Sequence, residues 1–394
     1  MKYCILIIDG AAGHPLPQRG WKTSLELART PNLDALASEG MVGLTRTVPE
    51  GMEPSSACAC LSIVGYDPKI YYKGRSAIEA FSMGIDIARG ETVFRCNLVT
   101  VSEGKMLDYS AGHVSTEEAR DLIDALEKDL GDARTCFYPG VSYRHILKLK
   151  DHEEAVEAVC TPPHDIPGQP VEDFLPRGKG SEVLRDLMSR STGILENHLV
   201  NQARKQRGEL PATTIWLFWP SGQVPSLPPF QELYGVKGAM ISGVDLLRGI
   251  GRMVGMEVIN VPGVTDGLDN DYAAQARGAL EVLEKSDLVV IHVEAPDEAG
   301  HSGSLEYKVK AIEKTDEEIV RRLREYKAAG LRLLVMPDHP TPLDIRTHTA
   351  EPVPFLLWGP GFNSNSAQRL TEAEARASGF FVQAGYGIIK KLLK

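Results

Sequence analysis

Three apolar runs in this chain each stop at an aspartate, and that repetition constrains the fold more than any other feature. Tyr3 to Ile8 ends at Asp9, Asp287 to Val293 leads through Ala295-Pro296 to Asp297, and Leu331 to Met336 is followed by Asp338. Short, continuously apolar runs are the pattern of strands buried on both faces of a parallel sheet. In an open α/β sheet the C-terminal strand ends lie along one edge, where ligands bind. The three carboxylates are therefore expected on one edge. Histidines stand close by: His301 four residues after Asp297, His339 beside Asp338, and His348 shortly before the apolar run Val353 to Trp358. Residues four apart share a helix face, so Asp297 and His301 can grip one ion. Mixed carboxylate and imidazole donors suit Mn²⁺, Zn²⁺, Fe or Mg²⁺ better than Ca²⁺. Six candidate ligands suffice for a two-metal centre of the kind that transfers phosphoryl groups.

Phosphoryl transfer also needs a nucleophile. Pro49 to Pro68, PEGMEPSSACACLSIVGYDP, turns into an apolar helix through Ser55 and Ser56. A serine there meets free backbone N–H groups and the positive end of the helix dipole, which favour an alkoxide and an incoming phosphate. Read from this segment alone, either serine serves equally as a simple N-cap.

The formal charge of −10 argues against a nucleic-acid partner and requires local cations for an anionic substrate. Such residues are concentrated in the middle of the chain: Arg75, Arg95, Arg144, His145, His164 with Asp165, and Arg204 on a long helix expected from Glu182 to about Gly208. Guanidinium groups match phosphate and carboxylate bidentately. From Ala212 the α/β rhythm returns, with Lys237 in LYGVKGAMIS, a long charged helix from Ser304 to Ala328 and a terminal helix from about Phe380 to Leu393. The N-terminal apolar run is too short to span a membrane and lacks a cleavage signal. The six cysteines show no metal spacing and are too few for a disulfide framework, so a cytoplasmic location is expected.

These motifs carry a resemblance. ILIIDGAAG, RTPNLDALASEG, CLSIVGYDP, FRCNLVTV, YGVKGAMIS, HVEAPDEAGHSG with KVKAIEKTDE, and PDHPTP with RTHTAEPVPFLLWG run nearly end to end. The chain resembles the archaeal-type cofactor-independent phosphoglycerate mutases, within the alkaline phosphatase superfamily. The resemblance implies an α/β fold with an alkaline-phosphatase-like, mostly parallel sheet flanked by helices and an inserted smaller α+β domain. The metal-binding domain would comprise residues 1–75 and 210–394, and the substrate-binding insertion residues 76–209. It implies two divalent ions, Mn²⁺ first, with Zn²⁺, Mg²⁺ and Co²⁺ as alternatives. One would take Asp297, His301 and His348. The other would take Asp9, Asp338, His339 and the nucleophile Ser56, identified by counting back from Leu61. Arg75, Arg95, Arg144, His145, His164, Asp165, Arg204 and Lys237 would bind a small phosphorylated hydroxy acid, 3- or 2-phosphoglycerate.

The chain departs from the family pattern around Ser56 and in the middle of the chain, and Cys60 stands where a His or Asn is common. Ser55-Ser56-Ala57 replaces Gly-Ser-Asp, and Asp108 to His113, DYSAGH, replaces an arginine-rich stretch. DYSAGH is familiar from a bacterial subgroup proposed to include a homoserine kinase. A phosphotransferase acting on homoserine is therefore the alternative expectation, and a metal-bound protein without catalysis is a third.

Overall fold

The computed structural model describes residues 1–224, 226–326 and 330–394 and contains two compact units, Met1–Tyr72 with Ser226–Lys394, and Lys73–Pro225. In chain order the strands are β1 (Lys2–Ile8), β2 (Met41–Thr45), β3 (Glu91–Ser102), β4 (Lys105–Asp108), β5 (Thr135–Tyr138), β6 (Arg144–Lys150), β7 (Thr214–Ser221), β8 (Gly238–Ile241), β9 (Glu257–Ile259), β10 (Leu288–Val293), β11 (Leu331–Met336), β12 (Val353–Trp358) and β13 (Phe381–Val382).

The larger unit is built on an eight-stranded sheet ordered β13-β2-β12-β11-β1-β10-β8-β9. β1 is central and pairs parallel with β10 on one side and β11 on the other. From Cys4 to Ile8 it has no solvent exposure, nor does β10 from Leu288 to Ile291, so both strands read as unbroken apolar runs. β12 departs from the parallel arrangement, running antiparallel to both β11 and β2. Helices Ala295–Ser302, Ser56–Ile63 and Pro31–Glu39 belong to this unit, the first two beginning beside the C-terminal edge of the central strands.

The smaller unit is a five-stranded sheet, β4-β3-β6-β5 with β7 also paired to β3, packed by helices Thr116–Leu130 and Ser181–Glu196 over a core that includes Phe94, Leu122, Leu147, Leu184 and Trp216. This moves a boundary. β7 was expected in the larger domain beginning at residue 210, yet it pairs antiparallel with β3 from Val99↔Thr214 to Val93↔Ser221. Its apolar run is buried in the other sheet, where among the described residues it pairs with β3 alone and packs against helix Ser181–Glu196. The helix expected from Glu182 to Gly208 is two helices, Ser181–Glu196 and Leu199–Gln206. Asn201 ties the break, donating to Leu195 O and Ala212 O at 2.7 Å each.

The helical run after Ser304 covers Leu305–Arg324, widened into a π-helix over Thr315–Val320; its expected end at Ala328 lies outside the described residues. The terminal helix begins only at Ile388, because Phe381–Val382 instead adds a parallel strand beside β2. Among the described residues no helix is long and apolar enough to cross a membrane.

Candidate active site

The parallel register converts the sequence pattern into a site. Asp9 follows the last residue of β1, paired as Ile8↔Val293, and Asp297 lies on the first turn of the helix that leaves β10. Asp338 follows β11 after one proline. All three side chains are buried, with Asp9 and Asp338 at 0% exposure. Gly10 has φ +59, and a Cβ there would lie 2.4 Å from Asp297 Oδ1, so only glycine lets the chain turn between the two carboxylates.

Two ligand clusters result. Asp297, His301 and His348 present atoms within 4.8 Å of one another, as do Asp9, Asp338 and His339. In the first, His301 Nε2 is 3.1 Å from Asp297 Oδ2 and 2.9 Å from His348 Nε2. His301 Nδ1 is 3.0 Å from the Arg346 carbonyl, to which Nδ1–H donates, and this turns Nε2 inward. Two imidazole nitrogens and a carboxylate thus converge on one point. The pair polarises itself: burial pushes Asp297 up, but hydrogen bonds to His301 and His348 hold it well below the usual carboxylate range. His301 is raised to about 9 by Asp297.

The second cluster is fully buried. Asp338 Oδ1 accepts N–H bonds from Gly10 at 3.1 Å and His339 at 2.8 Å, while Oδ2 is 3.2 Å from His339 Nε2. Asp9 Oδ1 is buried and has no hydrogen-bond partner. Burial, then the charges of Asp338 and Asp297, push Asp9 well above its ordinary value. An orphaned buried carboxylate oxygen facing a second carboxylate and an imidazole is costly for protein alone and suited to a divalent cation. The imidazoles of His339 and His348 stack at 4.0 Å between centroids, so the two clusters abut.

Ser56 completes the arrangement. It is the first residue of the helix Ser56–Ile63, whose N-cap Ser55 accepts from Cys58 N–H at 3.3 Å. That separates the two serines: Ser55 caps, while Ser56 Oγ lies 3.1 Å from His339 Nε2. Ser56 therefore stands at a helix N-terminus, beside the second cluster, where its hydroxyl can attack an electrophile. Cys60 contacts Asp338 Oδ2 through sulfur at 3.7 Å, and burial raises its thiol so that it stays a neutral neighbour.

Within the smaller unit the structure groups most of the expected anion ligands. Glu79 bridges Arg75, at 3.0 Å from Nε, and Arg95. Arg75 lies over the Trp219 ring at 4.5 Å and Arg95 at 6.0 Å. His164 meets the same ring edge-on at 5.8 Å, with Asp165 3.7 Å from its Nε2. His145 and Arg144 face β3 from β6, opposite Cys96 and Asn97. Burial pushes His145 down to about 3, and its Nδ1 accepts from Gly140 N–H at 3.0 Å, so it is neutral.

Two expected ligands lie elsewhere. Lys237 precedes β8, level with Asp287 at the start of β10. That is the N-terminal edge of the sheet, opposite the aspartates, and its side chain approaches Glu257 at 3.9 Å. Arg204 is 3% exposed and structural: it donates to Leu210 O at 2.9 Å and Ala111 O at 2.8 Å and pairs with Glu118 at 2.5 Å. Its replacement in Arg204→Met is expected to cost about 2–4 kcal/mol, since a buried and a partly buried carbonyl lose their donor and Glu118, partly exposed, keeps Arg207. The shift of the urea unfolding midpoint measures this.

Sequence reasoning passed over four residues of these clusters. His292 and Glu294 form a third group with Asp9. The signal was present, since His292 is the one ionisable residue in the apolar strand LVVIHV. Glu79 and Trp219 carried no comparable signal, because only folding brings them to the arginines.

An α/β protein with paired carboxylate–imidazole clusters beside a helix-terminal serine, at the C-terminal edge of a mostly parallel sheet, has the outline of a metal-dependent phosphoryl-transfer enzyme. A family model for 2,3-bisphosphoglycerate-independent phosphoglycerate mutase matches residues 37–201. A protein of that name from Methanosarcina acetivorans is 50% identical over 361 residues, covering 91% of this chain and 90% of its own. Another from Methanothrix thermoacetophila is 48% identical over 396 residues, covering all of both chains. A solved protein of Pyrococcus horikoshii superposes with a TM-score of 0.84 at 27% identity, covering 100% of this chain and 96% of its own. The chain belongs to the 2,3-bisphosphoglycerate-independent phosphoglycerate mutase family.

Proposed function

We propose that this protein is an isomerase that interconverts 3-phosphoglycerate and 2-phosphoglycerate through a phosphoserine at Ser56. The observation that carries the reading is the Ser56 hydroxyl 3.1 Å from His339 Nε2, at a helix N-terminus and against two ligand clusters. Asp297, His301 and His348 hold one divalent cation, and Asp9, Asp338, His339 and Ser56 the other. Mn²⁺ is the first expectation, with Zn²⁺, Mg²⁺ and Co²⁺ next. Bound cations in such a site lower the pKa of the serine hydroxyl and offset charge on the phosphoryl oxygens.

The protein groups do the rest. His339 Nε2, 3.1 Å from Ser56 Oγ, would hold the same cation as the serine, whose hydroxyl would release its proton to water before Oγ attacks phosphorus. The P–O bond to one glycerate oxygen breaks, that oxygen takes a proton, and the N–H groups of the first helical turn face the phosphoserine. The reverse attack by the glycerate's other hydroxyl returns the group to a new position and frees Ser56. Arg75 and Arg95, preset by Glu79 over Trp219, are proposed to take the substrate's anionic groups, with Arg144, His145, His164 and Asp165 alongside. Such a reaction, a step of glycolysis and gluconeogenesis, belongs in the cytoplasm.

The homoserine alternative is not favoured: a relative covering the whole chain at 48% identity carries the mutase name. The test is purified protein with Mn²⁺ and 3-phosphoglycerate, coupled to enolase. Mutase turnover supports the reading; no turnover with any of the four metals would sink it.

A further inference from the structure

We infer that His292 is a positioning residue that aims Asp9 at the second cation, an inference that rests on the metal reading above. Asp9 has two oxygens in unlike surroundings. Oδ2 lies 2.7 Å from His292 Nε2, whereas Oδ1 has no hydrogen-bond partner and lies 3.6 Å from His339 Nε2 within the ligand cluster. The carboxylate is therefore oriented by its protected oxygen, and the other is left for an ion.

His292 is held at its ring and at its backbone carbonyl. Its Nδ1 is 3.0 Å from Ser242 Oγ, which also accepts Val244 N–H at 3.0 Å. A cation-bound Asp9 is an ionised carboxylate and can only accept, so Nε2 carries the ring proton and Nδ1 faces the Ser242 hydroxyl. Gln275 Nε2 donates to the His292 carbonyl at 2.8 Å, and Asn270 Nδ2 secures Gln275 at 3.0 Å. Every member of the chain is buried. A chain of buried, satisfied polar groups ending on a metal-facing carboxylate is costly to build and fixes a direction. Glu294 Oε2 lies farther from Nε2, at 3.4 Å, than Asp9 Oδ2 at 2.7 Å, so Asp9 is the closer acceptor.

The experiment is Mn²⁺ binding to the full chain, followed by electron paramagnetic resonance and calorimetry, on the parent and on His292→Ala, His292→Gln and Ser242→Ala. Asp297→Asn identifies which binding step belongs to the other cluster. His292→Ala is expected to weaken the Asp9 site about 10–100-fold, the scale for outer-shell partners. His292→Gln, whose amide can still donate, should recover part of that loss, and Ser242→Ala should lose less than His292→Ala. The Asp297–His301–His348 site should change less than about twofold, which reports an intact fold. Unchanged affinity at the Asp9 site in His292→Ala overturns the inference. So does equal loss at both sites, which marks a general structural role, or a third Mn²⁺ in the parent that His292→Ala removes, which makes His292 a direct ligand. A parent protein binding no Mn²⁺ overturns the metal reading as well.

Discussion

Ser56→Ala protein is expected to lose mutase turnover by about 10³-fold or more while keeping both cation sites substantially filled. The magnitude follows from removing the only atom that can carry the phosphoryl group between the two glycerate oxygens. Metal binding should persist because the second cluster retains Asp9, Asp338 and His339, and the first cluster does not involve Ser56. Ser55→Ala separates the two serines. Ser55 Oγ accepts only a helix-capping bond from Cys58 N–H, so its loss should cost about 1 kcal/mol of stability and little turnover. The coupled enolase assay reads the first effect and thermal unfolding the second. A phosphorylated Ser56 peptide, trapped by acid quench and found by mass spectrometry, should be present in the parent and absent from Ser56→Ala.

Asp9→Asn should have opposite effects on the metal-free and metal-bound protein. Without metal, Asp9 is fully buried beside Asp338, with one oxygen unpartnered. An asparagine can accept from His292 through Oδ1 and donate through Nδ2 toward Asp338, replacing repulsion with a hydrogen bond. A gain of about 1–3 kcal/mol is expected, the scale of relieving an unsatisfied buried polar group. The pH dependence carries the same signature. The folded pKa of Asp9 is raised, so the folded state holds its proton after the unfolded chain has released it. Its stabilising contribution is thus complete below the ordinary carboxylate value of 3.8 and falls as pH rises from there toward the folded value. Asp9→Asn should flatten that fall. His301 adds a loss in a higher window, between 6.5 and about 9, that both proteins should share. With Mn²⁺ the order reverses. The parent should gain about 2.7 kcal/mol at a hundredfold excess over the dissociation constant, and the variant much less. Urea titrations across pH, with chelator and with Mn²⁺, distinguish these cases.

The grouping of these carboxylates and imidazoles was legible because it is written locally. A fully buried strand cannot carry a carboxylate in its middle, so Asp9, Asp297 and Asp338 mark where three strands end, and parallel pairing aligns them. Three histidines within ten residues of those ends then had few other places to go. The choice between Ser55 and Ser56 was not local: both can cap a helix, and the resemblance decided what the geometry of His339 later supported.

The anion ligands were harder for the same reason. Arg204 and Arg95 look alike in sequence, yet one is absorbed by two carbonyls and Glu118 while the other meets Glu79 near Trp219. Lys237 was misplaced because a strand's start and its end are equally close in sequence and lie at opposite edges of the sheet. β7 shows a similar limit. An apolar run reveals burial on both faces but not which sheet buries it, and TIWLFWPS pairs with β3 rather than with the larger sheet.

Two cations beside the Ser56 hydroxyl would show directly in anomalous diffraction from a crystal soaked in Mn²⁺. Two peaks are expected, one enclosed by Asp297, His301 and His348, the other by Asp9, Asp338 and His339 within reach of Ser56 Oγ. A single peak, or manganese bound away from these side chains, would contradict that expectation.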